Sequence, residues 1–315
     1  MIAKILPNRV RRTYLGGGRI DAFCGASADV SDGVPRPEDW MASTVQAFNG
    51  SAEIAGEGMG RLEDGRLVKD VAGPLPILVK LLDSDERLVI QAHPTVPCAK
   101  RLFGSSVGKT ECWLFLPGTA PDACVYLGFK PGVTRRMWRE AFESQKGFLE
   151  MLHRISVKEG DFVFVDGGVP HAIGGGCFMV ELQEPSDLMV VAERVTPSGR
   201  RIPDAKMHGG VGWEKMFDVY EYEGRTFGET CAKYVRRAAD LKCGCICGPS
   251  LTDKFAMWRV AGGGESEMTR SAGVAVVTGE GGEVNGVEVR KGDRLLVAGE
   301  RRVRASVGAE LVLCA

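Results

Sequence analysis

The sequence predicts a mainly β protein, built as a sandwich or barrel of short strands. Glycine is abundant, with 42 residues in a chain of 315, and the apolar runs are short and interrupted by Gly, Pro, Asp and Asn. Amphipathic patterns of helical length are few. Short apolar segments separated by turn residues are typical of all-β domains. Because the chain is much longer than one small core requires, we expect more than one domain.

An internal repeat indicates that a β-domain is duplicated. The segment ISVKEGDFVFVDG (155–167) matches VEVRKGDRLLVAG (287–299). Each copy predicts a strand, a Gly-Asp turn and a second strand, since Gly accepts positive φ and Asp hydrogen-bonds nearby backbone. Such turns also match by chance, but the similar character of the other positions favours duplication. The first copy is followed by His171 and the second by Val303, so we expect the functional site in the first copy.

The predicted layout has four parts, and helices are confined to short stretches of it. The parts are an N-terminal segment packed on the β-domains (1–75), a metal-binding β-domain (76–200), a partly helical connector (201–249) and a second, metal-free β-domain (250–315). The N-terminal segment includes one short helix near 37–47. The first β-domain includes a helix over 134–152 capped by Thr134, and the connector includes a helix capped by Thr226.

Charge and cysteine usage argue against several classes of protein. With 40 basic and 41 acidic residues, the formal net charge is −1, which gives no general attraction to nucleic acid or to an anionic membrane. No window approaches the ~18 apolar residues that a membrane-spanning helix needs. The first residues contain no apolar segment of signal-peptide length. We therefore expect a cytoplasmic protein that binds a small molecule, with neither nucleic acid nor membrane as partner.

The ten cysteines do not indicate a disulfide scaffold in a chain this long. Cys243, Cys245 and Cys247 alternate in KCGCICG, which would place three thiols on one face of a strand. A soft-metal site would need a further ligand nearby, so a buried, Cys-rich strand is the preferred interpretation. Reduced thiols agree with a cytoplasmic location.

Four residues form a candidate metal site: Gln91, His93, Glu111 and His171. Two of the chain's four histidines lie in Pro-flanked turns beside β-like runs, in QAHP and VPHAIGGG. Gln91 and His93 are two apart on a predicted strand and would face the same side. Imidazole, carboxylate and amide oxygen suit a borderline divalent ion such as zinc, and this set leaves room for a substrate. The alternative is that each histidine is only hydrogen-bonded in the core or exposed.

The segments QAHP, KTE, HAIGGG and ELQEPSD resemble, in order and spacing, the motifs of the type I mannose-6-phosphate isomerases of the cupin superfamily. The resemblance runs from about Pro74 to Arg194. It implies two cupin-type jelly-roll (double-stranded β-helix) domains with a few appended helices, in agreement with the repeat. It also implies one zinc ion per chain on Gln91, His93, Glu111 and His171. The implied reaction interconverts mannose 6-phosphate and fructose 6-phosphate through an enediol intermediate.

That reaction requires a group that carries a proton and cations that neutralise a phosphate. Lys109 would share a strand face with Glu111 and could reach phosphate or hydroxyl. Lys80 lies inside the apolar run LPILVKLL and should point into a polar cavity, unless the strand is an edge strand that exposes it. Glu181 is a candidate acid/base group, or a salt-bridge partner of Lys80 or Arg194.

Three positions depart from the family pattern. Val89 stands where the family has a serine, and YLGG (14–17) stands where the family has a WGG-like segment. Val191 stands where the family carries an arginine that serves catalysis or phosphate binding, and the loss removes an always-charged bidentate ligand. The metal centre is therefore expected to be intact and the phosphate end altered.

The missing arginine has several candidate replacements. Arg194 is a candidate catalytic and substrate-binding residue, but three residues along a straight strand it faces the opposite side from Val191. Arg200 is a second candidate for substrate binding, and Arg201 and Lys206 lie in the same loop.

Three hypotheses follow from the sequence. The first is a zinc-dependent aldose–ketose isomerase acting on mannose 6-phosphate. The second is a metal-binding cupin that acts on a different sugar or sugar phosphate, or one of another enzyme class such as an iron dioxygenase, because two histidines and a carboxylate also suit Fe(II). The third is a non-catalytic sugar-binding cupin, which Val89 and Val191 favour. The sequence leaves the oligomeric state open.

Overall fold

The computed structural model describes residues 1–49 and 54–315, and this part of the chain is mainly β. The strands are short and antiparallel, as the sequence predicts. In chain order they are β1 (Ile2–Lys4), β2 (Arg9–Val10), β3 (Glu38–Met41), β4 (Leu78–Ser84), β5 (Gln91–Ala92), β6 (Glu111–Phe115), β7 (Cys124–Phe129), β8 (Leu152–Ser156), β9 (Phe162–Val165), β10 (His171–Ile173), β11 (Cys177–Gln183), β12 (Val190–Val191), β13 (Val235–Arg236), β14 (Gly244–Cys247), β15 (Met257–Val260), β16 (Glu265–Glu267), β17 (Ala272–Val277), β18 (Gly281–Val284), β19 (Val287–Arg290), β20 (Arg294–Ala298), β21 (Arg302–Arg304) and β22 (Leu311–Cys314).

The helices are few and short. They are α1 (Gly18–Cys24), α2 (Val68–Ala72), α3 (Val96–Phe103), α4 (Arg135–Ser144), α5 (Asp204–Met207), α6 (Trp213–Met216) and α7 (Phe227–Tyr234), with 3₁₀ turns at Leu149–Met151 and Ala238–Asp240. In the described parts of the chain, none of them is long and apolar enough to cross a membrane.

The strands β2 to β13 form two sheets. One has seven strands in the order β13-β9-β6-β11-β4-β3-β2, and the other has five in the order β12-β5-β10-β7-β8. Apolar residues of both sheets, such as Trp113 on β6 and Leu127 on β7, belong to one hydrophobic core. Because side chains alternate along a strand, β6 directs Glu111 and Trp113 to one face of its sheet and Cys112 to the other.

A six-stranded sheet dominates the C-terminal part, in the order β1-β20-β17-β22-β15-β14. Its inner residues, such as Met257 and Val312, join the same core as Cys112, so the seven-stranded sheet has packed neighbours on both faces. The N-terminal segment is divided between the sheets: β1 pairs with β20, whereas β2 and β3 extend the seven-stranded sheet beyond β4.

The two copies of the internal repeat have the same local structure. In the first copy Gly160 has φ 79° and Asp161 Oδ2 accepts a hydrogen bond from Lys158 N; in the second, Gly292 has φ 83° and Asp293 Oδ2 accepts from Arg290 N. The flanking strands do not pair with each other. The chain passes from β8 in the five-stranded sheet to β9 in the seven-stranded sheet, and from β19 in a two-stranded ribbon to β20 in the six-stranded sheet.

Two helix predictions are confirmed at their starts. Thr134 caps α4 by accepting from Met137 N, and Thr226 caps α7 in a reciprocal capping box with Glu229. The predicted extension of α4 to residue 152 is wrong, because Gln145 adopts positive φ (55°) and ends the helix.

The predicted helix near residues 37–47 is also wrong. Residues 38–41 form the strand β3, whose four residues are all buried. The edge of β4 offers unpaired backbone groups there, and pairing with it overrides the weak local preference.

Candidate metal centre and pocket

The seven-stranded and five-stranded sheets together bring three of the four predicted metal ligands close to one another. His171 opens β10, Glu111 opens β6 and His93 follows β5. One ligand atom from each of these residues lies within 4.8 Å of the other two. Glu111 Oε2 is 3.1 Å from His93 Nε2, and Glu111 Oε1 is 3.4 Å from His171 Nε2. All three side chains are almost completely buried.

Gln91 completes the set from the strand next to His171. The two residues are direct partners between β5 and β10, and the Gln91 Nε2 is 3.4 Å from the His171 Nε2. The two ends of a side-chain amide exchange by a half-turn, so Gln91 can present its carbonyl oxygen at the same place.

Hydrogen bonds fix the tautomer of both imidazoles. His93 Nδ1 lies 3.0 Å from the carbonyl oxygen of Leu188, and His171 Nδ1 lies 2.9 Å from that of Val169. A carbonyl oxygen only accepts, so each Nδ1 carries the proton and each Nε2 has an unprotonated lone pair on the side of the ring that faces the cluster. Burial, followed by the Lys109 ammonium, lowers the pKa of His93 to about 3, and burial also lowers the pKa of His171.

This arrangement fits a divalent cation of the zinc type. Two neutral imidazole nitrogens and a carboxylate oxygen converge, and a borderline ion such as zinc favours these ligands. Three such ligands leave coordination positions open for a substrate. Glu111 Oε2 is buried and accepts no hydrogen bond of good geometry from the described residues, so one of its lone pairs remains for a cation. Burial alone would raise the pKa of Glu111, but Lys109, His93 and His171 together hold it well below its usual range.

The local sequence explains how these ligands are positioned. Ser186, in the SD pair, donates to the carbonyl of Gly108, and Leu188, two residues further along, supplies the carbonyl that holds His93. After His171 the chain turns through three glycines, and a Cβ on Gly174 would lie 2.3 Å from the Cys124 carbonyl oxygen. The glycine run therefore permits a close backbone approach beside the ligand.

Lys109 is the cation nearest to this cluster. Its Nζ lies 2.7 Å from His93 Nε2 and 3.1 Å from Glu111 Oε2. The residue also lines a narrow pocket beside the ligands, so its ammonium can reach either the ligands or a bound molecule.

The pocket lies on the face of the seven-stranded sheet that carries Glu111. Lys80 on β4 and Glu181 on β11 are direct cross-strand partners, and Lys80 Nζ donates to Glu181 Oε1 at 2.6 Å. Lys80 is buried and points into a polar cavity, as expected from its apolar context. Glu38 Oε2 lies 3.6 Å from the same ammonium. Burial raises the pKa of Glu181, although Lys80 opposes that shift.

Glu38 connects this pair to the N-terminal segment. It accepts hydrogen bonds from Arg12 Nε (2.9 Å), from Tyr14 Oη (2.8 Å) and from Trp40 Nε1 (2.7 Å). Burial alone would raise the pKa of Glu38, but Arg12 and Lys80 hold it far below its usual range. Arg12 also reaches Asp187 of the SD pair, at 3.3 Å.

Two pocket cations were not among the predicted catalytic or binding residues. Arg12 and Lys206 both line the cavity. Arg12 lies in the polar stretch NRVRR, in which no apolar pattern signals burial. Lys206 is expected only as one of the loop cations that could replace the missing arginine, and its burial on α5 is not apparent from the sequence of that loop.

Arg194 and Arg200 are not among the residues that line this pocket. The guanidinium of Arg194 lies 4.8 Å from the ring centre of Phe142 and 5.5 Å from that of Trp213. The backbone of Arg200 closes a turn with Thr196. Arg201 is exposed, and its guanidinium lies 3.7 Å from Asp204.

The departures from the family pattern lie at the pocket wall. Val89, Val191 and Tyr14 all line it.

His153 and the cysteines of KCGCICG are not among the residues that line this pocket. His153 belongs to β8 and not to a helix end, and its Nε2 contacts the carbonyl of Arg225. The predicted buried, Cys-rich strand is wrong for two of its three thiols, because Cys243 and Cys245 are exposed and only Cys247 is buried.

Fold and site together define a mainly β protein in which a buried His-Glu-His cluster borders a charged pocket. No protein-family model matches the chain. It is similar to a probable mannose-6-phosphate isomerase, GmuF of Bacillus subtilis, with 38% identity over 112 residues that cover 36% of this chain and 35% of that protein. The aligned part is thus about a third of that relative.

A longer alignment joins the chain to the mannose-6-phosphate isomerase of Streptococcus mutans. Identity is 28% over 226 residues, which cover 70% of this chain and 68% of that protein. Together, these alignments bear out the resemblance drawn from the sequence motifs.

Solved structures share the fold over the whole chain. The mannose 6-phosphate isomerase of B. subtilis matches with a TM-score of 0.73 and 18% identity, over 100% of this chain and 99% of that one. A zinc-bound mannose 6-phosphate isomerase matches with a TM-score of 0.67 and 14% identity, over 99% of this chain and 98% of that one. At these identities the likeness establishes the fold.

Proposed function

We propose that this protein is a zinc-dependent aldose–ketose isomerase that interconverts mannose 6-phosphate and fructose 6-phosphate through an enediol intermediate. The observation that carries the proposal is the convergence of His93, Glu111 and His171 beside a pocket that holds both a buried carboxylate and several cations. Relatives named mannose-6-phosphate isomerase support the reaction, and the zinc-bound structure of the same fold supports the metal.

Gln91, His93, Glu111 and His171 would hold one zinc ion per chain. When bound, the ion would polarise oxygens of the open-chain sugar. The protein's part is to keep both Nε2 lone pairs available, which the carbonyls of Leu188 and Val169 do by fixing the Nδ1 protons.

Glu181 and Lys80 are the proposed proton-handling pair. Isomerisation moves a proton between neighbouring carbons, so a base must lie inside the pocket and be protected from bulk water. Glu181 meets both conditions, since it is 3% exposed and lines the cavity. Lys80 donates to one carboxylate oxygen and fixes its orientation. Lys109, next to the metal ligands, is placed to donate to a sugar oxygen.

The fold proposal is that the chain contains two jelly-roll halves, of which only the first carries metal ligands. In support, both repeat copies cross from one sheet to another at the same Gly-Asp turn. Val303 stands at the repeat position of His171, and its side chain is buried in an apolar cluster.

The function is tested by assaying conversion of mannose 6-phosphate to fructose 6-phosphate with chelator-treated protein and with the same protein refilled with zinc. Zinc-restored turnover, lost again in H171A, is the expected result. If folded protein takes up one zinc ion per chain and shows no turnover, the proposed reaction is wrong.

A second candidate is a metal-binding protein that acts on another sugar or sugar phosphate, or binds one without turnover. Val89 and Val191 favour it, because both place apolar side chains on the pocket wall where the family pattern has polar ones. Turnover of a panel of aldose and ketose phosphates separates these cases. Zinc-dependent sugar binding without turnover of any of them would identify a binding protein.

A further inference from the structure

We propose that Lys206, with Arg12 beside it, receives the phosphate group of the substrate. This inference rests on the proposed function, because it assumes that the pocket takes a sugar phosphate. It assigns the phosphate end of the pocket to α5 and to the N-terminal segment, and to neither Arg194 nor Arg200.

Lys206 is the one lining cation without a close counter-ion among the described residues. Lys80 Nζ contacts Glu181 at 2.6 Å, Lys109 Nζ contacts Glu111 at 3.1 Å, and Arg12 Nε donates to Glu38. Lys206 is 5% exposed, and in the described parts of the chain its ammonium makes neither an ion pair nor a hydrogen bond. A buried ammonium without a partner is costly, so a bound anion would satisfy it.

Arg12 is the second donor because one of its contacts is weak. Its Nε keeps a bond of 2.9 Å to Glu38, whereas its Nη2 lies 3.3 and 3.4 Å from the two oxygens of Asp187. The guanidinium stacks 4.9 Å from the ring centre of Trp40, which holds its plane. Because Nη2 has two N–H groups and makes only these long contacts, it can donate to an anion that lies in the guanidinium plane while Nε and the stacking stay in place.

The charge balance of the lining points the same way. It carries the cations Arg12, Lys80, Lys109 and Lys206 against the carboxylates Glu38, Glu181 and Asp187. The first three cations have carboxylates in contact, with Glu111 beside Lys109, so Lys206 is the lining cation that has none among the described residues.

Geometry explains why Val191 does not prevent this. Val191 lies on β12, completely buried, and shares the pocket wall with Ile202 and Lys206. α5, the helix of Lys206, contacts β12. A cation thus reaches the wall beside Val191 from the helix that covers the strand and not from the strand itself.

The test uses full-length, zinc-loaded protein with mannose 6-phosphate as substrate and inorganic phosphate as competing anion. K206M is expected to raise KM about 10- to 100-fold, as for the loss of one charge-assisted hydrogen bond, and to weaken phosphate inhibition by the same factor. The kcat should change little, and K206R should recover part of the loss. K215M, which removes an exposed lysine from α6, is the matched control and should leave both constants unchanged.

Several outcomes would overturn the proposal. Unchanged KM and unchanged phosphate inhibition in folded K206M would do so, and so would an equal effect in K215M, which would indicate a general charge effect. A larger effect in R201Q than in K206M would move the phosphate contact to the exposed loop. Thermal unfolding of each variant checks that it is folded, and K206R provides a second test should K206M fail to fold.

Failure of the proposed function is distinguishable from failure of this inference. If wild-type protein does not convert mannose 6-phosphate, binding of inorganic phosphate is measured directly by calorimetry in wild type and K206M. Binding that depends on Lys206 supports the anion site although the reaction is wrong. Absent binding, or binding that K206M leaves unchanged, overturns the anion site whatever the reaction.

Discussion

Lys80 and Glu181 face each other across β4 and β11, and their side chains form a buried hydrogen bond of 2.6 Å. Each side chain is only 3% exposed, so each depends on the other for its ionised form. Burial lowers the pKa of Lys80, but Glu181 and Glu38 raise it further than burial lowers it. Lys80 therefore stays protonated, and Glu181 is the member of the pair that can exchange a proton with a substrate.

The E181Q variant should lose turnover while keeping substrate binding. Removing a positioned acid or base typically lowers the rate by about 10²- to 10⁴-fold. We expect kcat to fall within this range and KM to stay within a few-fold, as measured by steady-state kinetics. E140Q, on the exposed face of α4, is the matched control and should behave as wild type. A kcat for E181Q near that of wild type would remove Glu181 from the proton-transfer step.

The Lys80–Glu181 pair also predicts that substitutions of its two members lower the stability of the protein by different amounts. K80M leaves Glu181 and Glu38 without their shared cation, which should lower the free energy of unfolding by about 3–5 kcal/mol. E181Q should cost less, because Glu38 remains 3.6 Å from Lys80 as a counter-ion. Denaturant titration of both variants measures the two losses. Equal losses would mean that Glu38 does not share in holding Lys80.

Zinc binding should depend on His93 and His171 but not on His153. All three histidines are buried, and only the first two direct an Nε2 at Glu111. We expect H93A and H171A to lose stoichiometric zinc, while H153A keeps it. Zinc at 100 times its dissociation constant should stabilise wild type and H153A by about 2.7 kcal/mol. Metal analysis and thermal unfolding with and without zinc test this, and zinc loss in H153A would contradict it.

The site was predictable from the sequence where its residues are close along the chain or carry an unusual local context. His171 beside its glycines, and Lys80 inside an apolar run, signalled the cluster and a polar cavity. The register that pairs Lys80 with Glu181 is a long-range property and leaves no local signal. Arg12 looks like a solvated surface residue, and only the path of the N-terminal segment over the pocket buries it.

The fold was predictable to a similar degree. Turn chemistry located the Gly-Asp turns and the caps of α4 and α7, because these depend on a few adjacent side chains. The sequence did not show that the strands on either side of each turn lie in different sheets. The mistaken helix near residues 37–47 has the same cause, since β3 forms only because β4 offers it an edge.

The buried charge of Lys206 predicts that its removal stabilises the protein, most strongly at neutral pH. Burial, followed by Arg12, lowers the pKa of Lys206 to about 8. The unfolded value is about 10.4, so a shift of this size corresponds to about 3 kcal/mol. The charged and titratable groups that act on Lys206 are Arg12, Asp187, Glu38 and Lys80.

The sign follows from proton linkage. Below pH 8 the lysine is protonated in both states, and wild type bears the full cost of burying the charge. Between about pH 8 and 10.4 the unfolded chain holds more protons, so the wild-type free energy of unfolding rises with pH. K206M should therefore be more stable than wild type at pH 7, with a gap that narrows toward pH 10. Denaturant titrations at both pH values measure the gap. A K206M variant less stable than wild type at pH 7 would mean that the ammonium is satisfied within the protein.

The two repeat turns should differ in their contribution to stability although their local geometry is the same. Asp161 is completely buried and accepts, besides its turn bond, hydrogen bonds from Ala238 N at 2.9 Å and Arg237 Nη1 at 2.7 Å. Asp293 is partly exposed. Among the described residues it has, besides its turn bond, no comparable pair of buried hydrogen bonds. Its Oδ2 instead lies 2.9 Å from Lys4 Nζ.

We expect D161A to lower the free energy of unfolding by about 2–4 kcal/mol, because it removes three hydrogen bonds to a buried carboxylate, one of them charge-assisted. D293A should cost about 1 kcal/mol, the value of a single exposed turn bond with a weak surface ion pair. Denaturant titration of the two variants, with D161N as the version of closest shape, measures the difference. Equal losses would show that the first turn has no special role in joining the 3₁₀ turn at Ala238–Asp240 to the seven-stranded sheet.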